Sequence, residues 1–188
     1  MAGESLFREL EIEAFRAGIT PRTKQSIEWF RKKARQLFRG RAMQNRRDIM
    51  QDDALALRTK PVVGKTQMYM YYYDAKHKAT LPYYDGFPLI IMLGPAKGGF
   101  MGLNLHYLPP VVRARLLDAA GQDKLSVNAV EGNRLTKPTI KRYLYGYARS
   151  MFRKVETEDN LTAIMLPVQR FKKASDTQVW ADSRKIAR

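Results

Sequence analysis

The reactive side chains of this sequence are overwhelmingly cations. Between Arg16 and Arg47 stand eleven basic residues and one acid, Glu28, a local net of +10, and residues 137–154 carry six basic residues and no acid, a local net of +6. Cations at this density neutralise a phosphate backbone or face an acidic protein surface. The set expected to contact double-stranded DNA is Arg31, Lys32, Lys33, Arg35 and Arg39 on one predicted helix, Arg41, Arg46 and Arg47 on the arm after it, and Lys141, Arg142, Arg149 and Arg153 on a later helix. Over the whole chain, 34 Lys and Arg against 18 Asp and Glu give +16, which puts a polyanionic partner first.

Other chemistries lack their residue sets. With two histidines, His77 and His106, and no cysteine, a metal site would have to recruit Asp74 or Asp85 at spacings that match no common ligand pattern. A Mg²⁺-dependent nuclease needs clustered carboxylates, and the acids here are scattered. Gly64, Lys65 and Thr66 look like the end of a phosphate-binding loop, but position 59, where that motif needs glycine, is Thr59. The spacing of Gly98, Gly99 and Gly102 fits a hairpin rather than a dinucleotide-binding turn. Catalytic residues, metal and cofactor are therefore all read as none. His106, between Leu105 and Tyr107 in an alternating stretch, is expected to be a hydrogen-bonded structural histidine in a strand, and His77, between Lys76 and Lys78, a solvated turn residue. The tyrosines at 69, 71, 72, 73, 83 and 84 could stack on single-stranded nucleic acid. Alternation places Tyr69, Tyr71 and Tyr73 on one sheet face, however, and packing suits them better where the surrounding charge is weak.

The elements that must position these residues centre on Gly64–Leu108, where strand-like runs follow one another across short turns. Lys65–Tyr73, Leu81–Leu93 and Phe100–Leu108 are the strands, Asp74–Ala79 is a polar break, and Gly94, Pro95, Gly98 and Gly99 mark a tight reversal. That segment has four lysines against Asp74 and Asp85, only +2, so the charge lies on its flanks. The expected fold class is α+β: a small SH3-like antiparallel β-barrel or twisted sheet flanked by amphipathic helices from both termini.

On the N-terminal flank, Ser5–Ala17 has helical spacing with Gly18 at its C′ position, and Thr20–Pro21 opens a second helix to Arg39. Residues 41–60 form an arm or loosely packed helix. After the sheet, Pro109 and Pro110 open a helix, residues 122–134 form a loop, and Thr136 and Pro138 start a helix with Ile140, Tyr143, Leu144, Tyr147 and Met151 as its buried stripe. Residues 161–168 are the last strand candidate. Ser175 and Gln178 have capping-box spacing, which starts a terminal helix at Asp176 anchored by Val179 and Trp180. The division expected is residues 1–60, basic helices and arm, and residues 61–188, barrel with packed C-terminal helices, together one compact unit.

A chain of 188 residues, 45% of them hydrophobic, can bury a core of its own. Absence of cysteine suits assembly in a reducing cytoplasm, and the sequence has neither a signal-peptide pattern nor an apolar run of membrane-spanning length.

One stretch resembles a known family. G-K-x-x-M-Y-x-Y-Y-Y-D-A-K-H-K-x-x-L-P-Y-Y-D-x-F-P-L-I from Gly64, then G-G-F-x-G-L-N-L-H-Y-L-P-P from Gly98, resembles virion structural proteins of large contractile-tailed (myovirus) bacteriophages labelled DNA end protector proteins. The segment LPVQRFKKASDTQVWADSR from Leu166 matches more weakly. The resemblance implies a non-enzymatic virion protein at the head-to-tail vertex, with portal, neck or tail subunits as partners in a ring or other symmetric assembly. It also implies shielding of the end of packaged DNA. Two other functions compete: a purely structural tail, neck or baseplate subunit whose basic faces bind acidic neighbours, and an RNA-binding regulator, for which no RNA-binding signature is present.

Overall fold

The fold comes from a computed structural model, which describes residues 12–20, 25, 29, 50, 57–63, 67–109, 112, 113, 116, 133–155 and 168–186. Six antiparallel strands make the main sheet: β1 (Leu57–Arg58), β2 (Met68–Met70), β4 (Leu89–Ala96), β5 (Gly99–Asn104), β6 (Ile140–Leu144) and β7 (Phe152–Val155), in the order β1-β7-β2-β4-β5-β6. A second, two-stranded sheet pairs β3 (Tyr84–Asp85) with β8 (Phe171–Lys172).

Both faces of the main sheet are buried. Met68, Met70, Leu89, Ile91 and Leu103 point to one core, joined by Phe87, Leu105, Val155 and Val168. Their sequence neighbours Tyr69, Tyr71, Ile90 and Met92 point to the other, with Phe100, Tyr143 and Phe152. A strand buried on both sides has no polar alternation, which is why Leu89–Met92 is a continuous apolar run.

The aromatic core shows how the sheet is bent. Phe100 in β5 and Phe152 in β7 are separated by β4 and β2, roughly 14 Å in a flat sheet, yet their ring centroids are 5.8 Å apart. The sheet therefore curls over its own aromatic side chains. Tyr71 sits at the centre of the curl, with Phe152 at 4.4 Å, Tyr143 at 5.8 Å and Tyr73 at 6.0 Å. An irregularity between Met92 and Gly94 helps β4 to bend. Gly98, at φ 72°, turns the β4–β5 hairpin. At Gly99 a Cβ would lie 1.8 Å from the carbonyl oxygen of Tyr143, so only glycine lets β6 approach β5 there.

Several sequence expectations are corrected. The ladder does not close into a barrel: β1 and β6 are its two edges, and the product is a curled open sheet. Gly94 and Pro95 belong to β4 rather than to the turn, and His106 lies in a 3-10 turn, Leu105–Tyr107, just past the end of β5. The helix expected from Thr136 to Arg153 is absent. A 3-10 turn at Lys137–Thr139 leads into β6, a second at Tyr145–Tyr147 follows, and Tyr73 pairs with Ala148 before β7. Ile140 and Tyr143 meet opposite cores, so packing of one residue on each face of β6 imitated a helical stripe. Leu57 and Arg58, placed in the arm by the sequence, pair with β7.

The local helix signals fare better. Residues 12–16 are helical and end as a glycine C-cap should, with Ile19 N–H donating to the Ala14 carbonyl at 2.9 Å and Gly18 at φ 64°. Gln25 and Trp29 are helical, as are Val112, Arg113 and Leu116 after Pro109. The Ser175 hydroxyl accepts from Gln178 N–H at 3.3 Å at the start of the C-terminal helix Asp176–Ile186, and Val179 and Trp180 are buried. The expected strand over residues 161–167, the loop over 122–132 and most of the second helix lie outside the described residues.

Candidate nucleic-acid interface

Two polar clusters flank the β3–β8 sheet. The exposed one is built on the turns after Tyr73: Lys78 N–H donates to the Ala75 carbonyl, and Thr80 and Leu81 N–H groups both donate to the His77 carbonyl. This winding brings Lys78 Nζ to both carboxylate oxygens of Asp74, at 3.1 and 2.8 Å. Arg149 reaches the same carboxylate at 3.7 Å, and the Tyr84 hydroxyl donates to it at 3.2 Å. The Lys78 hydrogen bond, with the nearby positive charge, holds the Asp74 carboxyl below its ordinary pKa. Lys78 and Arg149 side chains remain more than half exposed, at 57% and 54%.

The buried cluster is centred on Asp85. Its carboxylate accepts from Phe87 and Arg170 N–H at 2.9 and 3.1 Å, from Asn104 Nδ2 at 3.2 Å and from His106 Nδ1 at 2.7 Å. Burial alone would raise the Asp85 pKa; His106 and the two backbone donors more than offset that, and the net direction is down. Burial dominates at His106 and lowers its pKa despite Asp85. The pair is thus a carboxylate and a neutral imidazole with its proton on Nδ1. Among the described residues no hydrogen bond reaches His106 Nε2, and the side chain is fully buried. Asn104 Nδ2 also donates to the Tyr143 hydroxyl at 2.9 Å, which ties the network to the aromatic core.

A buried cation lies beside this acid. Arg113 donates from Nε to the Leu108 carbonyl at 2.6 Å and from Nη2 to the His106 carbonyl at 3.2 Å, with its guanidinium 5.8 Å from the Trp180 ring. Trp180 Nε1 donates to the same His106 carbonyl at 2.9 Å, so the C-terminal helix is latched to the end of β5. His106 is hydrogen-bonded as the sequence led us to expect. Its partner, 21 residues earlier in the chain, had no local signal.

Of the twelve cations expected to contact DNA, Arg31, Lys32, Lys33, Arg35, Arg39, Arg41, Arg46 and Arg47 lie outside the described residues. The other four are on strands and turns, not on one helix face. Arg142 is exposed on the edge strand β6 and donates to the Lys97 carbonyl at 2.5 Å. Arg149 is exposed on the Asp74 cluster. Lys141 is half buried 4.6 Å over the Tyr107 ring, and burial lowers its pKa. Arg153 is buried, with Nε and Nη2 donating to the Met50 carbonyl at 3.1 and 2.5 Å. That guanidinium holds residue 50 against β7. Sequence reading missed Lys78, which pairs with Asp74, and Lys172 and Lys173, which lie opposite Tyr84 and against the Ala79 and Leu81 carbonyls, because they are divided between two distant segments.

Among the described residues no group of three or more His, Cys, Asp and Glu side chains could hold a metal ion, and no helix is long and apolar enough to cross a membrane. The family model described as Phage T4 terminal DNA protecting protein matches residues 7–184. No curated protein and no solved structure matches the chain.

Proposed function

The chain belongs to the Phage T4 terminal DNA protecting protein family, and from that premise we propose that it is a non-enzymatic phage protein that binds the end of packaged double-stranded DNA. The single observation that carries this reading is that the match spans residues 7–184 and so includes the stretch from Arg16 to Arg47 with its net charge of +10. Phosphate neutralisation by Arg31, Lys32, Lys33, Arg35, Arg39, Arg41, Arg46 and Arg47, joined by the exposed Arg142 and Arg149, supplies an affinity without sequence preference. The protein acts in the virion at the head-to-tail vertex. There a ring of portal, neck or tail subunits adds avidity to a weak individual contact.

A second reading, a structural subunit whose cations face acidic neighbours, is favoured by the exposed apolar side chains of Phe15, Val62, Val63, Leu135 and Met151. One experiment separates the two. Particles are assembled with the parent protein or with a variant in which Arg31, Lys32, Lys33 and Arg35 are all changed to Gln, and the released DNA is challenged with an exonuclease that acts from ends. The end-binding account expects resistant DNA from parent particles and rapid degradation from variant particles. Equal resistance overturns it. A variant that binds duplex DNA normally yet fails to enter particles replaces it with the structural reading.

A further inference from the structure

Resting on the DNA-binding reading, we propose that the β3–β8 side of the fold is a second phosphodiester-binding face, separate from the N-terminal basic segment and organised around Asp74. Cations from three parts of the chain border this face: Lys78 from the turn, with Lys76 exposed two residues before it, Arg149 from the connection into β7, and Lys172 and Lys173 from around β8, with Arg170 exposed just before that strand. Their proximity is fixed by the geometry around two side chains. Lys78 and Arg149 share the Asp74 carboxylate. The Tyr84 hydroxyl donates to that carboxylate, and Tyr84 lies directly opposite Lys172 in the β3–β8 pair, so their side chains share a face. Arg170 acts electrostatically on Tyr84.

Lys173 closes the patch in an unusual way. It is the non-glycine residue with positive φ, 70°, among the described residues, and its Nζ donates to the carbonyls of Ala79 and Leu81 at 2.9 and 3.1 Å. A lysine held in the left-handed region by two carbonyls staples the end of β8 to the basic turn. The cations are thereby carried on a defined surface.

Charge then selects the ligand. Six cations against Asp74 and the buried Asp85 leave a local net of +4, and among the described residues the exposed ion pairs of this patch end on Asp74. A small anion would satisfy one or two of these groups. A phosphodiester backbone, with a duplex charge about every 1.7 Å of axis, can engage several at once. Asp74 orients Lys78 and Arg149 and partly masks them, so it tunes the face toward weaker binding.

The test measures binding of the full-length protein to a blunt linear duplex across a salt series. Changing Lys76, Lys78, Arg149 and Lys172 together to Gln should flatten the slope of log K against log salt by about 0.9 for each phosphate that the variant no longer neutralises. Asp74→Asn should tighten binding at a given salt, a gain that a damaged fold cannot imitate. The proposal is overturned if the four-site variant keeps the parent slope while the variant at Arg31, Lys32, Lys33 and Arg35 flattens it, a result that leaves the DNA-binding function standing. It is also overturned if Asp74→Asn weakens binding. A parent protein with no affinity for duplex DNA at low salt removes both the face and the function on which it rests.

Discussion

Asp74 and Asp85 are the two acids of residues 64–108, eleven residues apart on either side of one turn, and each carboxylate accepts hydrogen bonds. Their surroundings make them opposites. Asp85 is enclosed, with four donors on its two oxygens, and ties β3, the end of β5 and the approach to β8 into one unit. Asp74 is only half-buried, and its partners Lys78 and Arg149 remain exposed. A buried carboxylate is stable only if every lone pair is met, and then its loss is costly; an exposed ion pair contributes little to folding and is screened by salt. Asp85 therefore belongs to the fold and Asp74 to the surface.

The comparison breaks most visibly if an acid is placed where no donors wait. Tyr71 is fully buried among aromatic rings, and its hydroxyl has no hydrogen-bond partner among the described residues. Tyr71→Asp should cost about 4 kcal/mol or more by denaturant unfolding, because a lone carboxylate would replace a packed ring. Parent-like melting would show that the concave aromatic core is wrongly assigned. Removing the satisfied acid comes next. Asp85→Ala leaves His106 Nδ1, Asn104 and two backbone N–H groups unmet, and a loss of about 3–5 kcal/mol is expected. A loss near zero would place Asp85 in water.

How much of this was legible in the sequence depends on how local each cause is. The Gly18 and Ser175 caps and the Val179–Trp180 anchor were readable because a helix end is written within a few residues. The packed face of Tyr69, Tyr71 and Tyr73 was readable from strand alternation. Residues 140–153 were not: Ile140, Tyr143, Leu144 and Tyr147 fall at helical spacing only because Ile140 and Tyr143 pack on opposite faces of β6, which lies next to a 3-10 turn. The Asp85–His106 pair and the Asp74 patch were invisible for another reason. Asp85 and His106 are 21 residues apart and the Asp74 patch reaches 99 residues on, to Lys173, so the fold alone brings them together. A charge count over residues 64–108 gave +2 and hid a surface completed by Arg149 and by residues 170–173.

Acid titration sharpens the contrast with a smaller effect. The folded pKa of His106 lies below its ordinary value of about 6.5, so its contribution to stability is full above that pH and is lost as pH falls through the lowered value. Asp85, also lowered, adds a loss only at more acidic pH, below about 3.9. Between pH 7 and pH 5 the melting temperature should therefore fall, and His106→Gln, which can still donate to Asp85, should lower stability at pH 7 while flattening that fall. A flat parent profile contradicts a buried neutral His106. The smallest effect belongs to the surface acid: Asp74→Asn should leave the melting temperature unchanged, and a clear drop would move Asp74 from the surface into the fold.

The most direct test of the central claim is the salt dependence of binding by the unmodified protein, read as anisotropy of an end-labelled blunt duplex. If about six phosphates are neutralised, log K should fall with log salt at a slope near −5, with binding clear at low salt and largely gone for the isolated protein at physiological salt. A slope near zero, or no binding at the lowest salt, would show that the cations of this chain do not serve DNA.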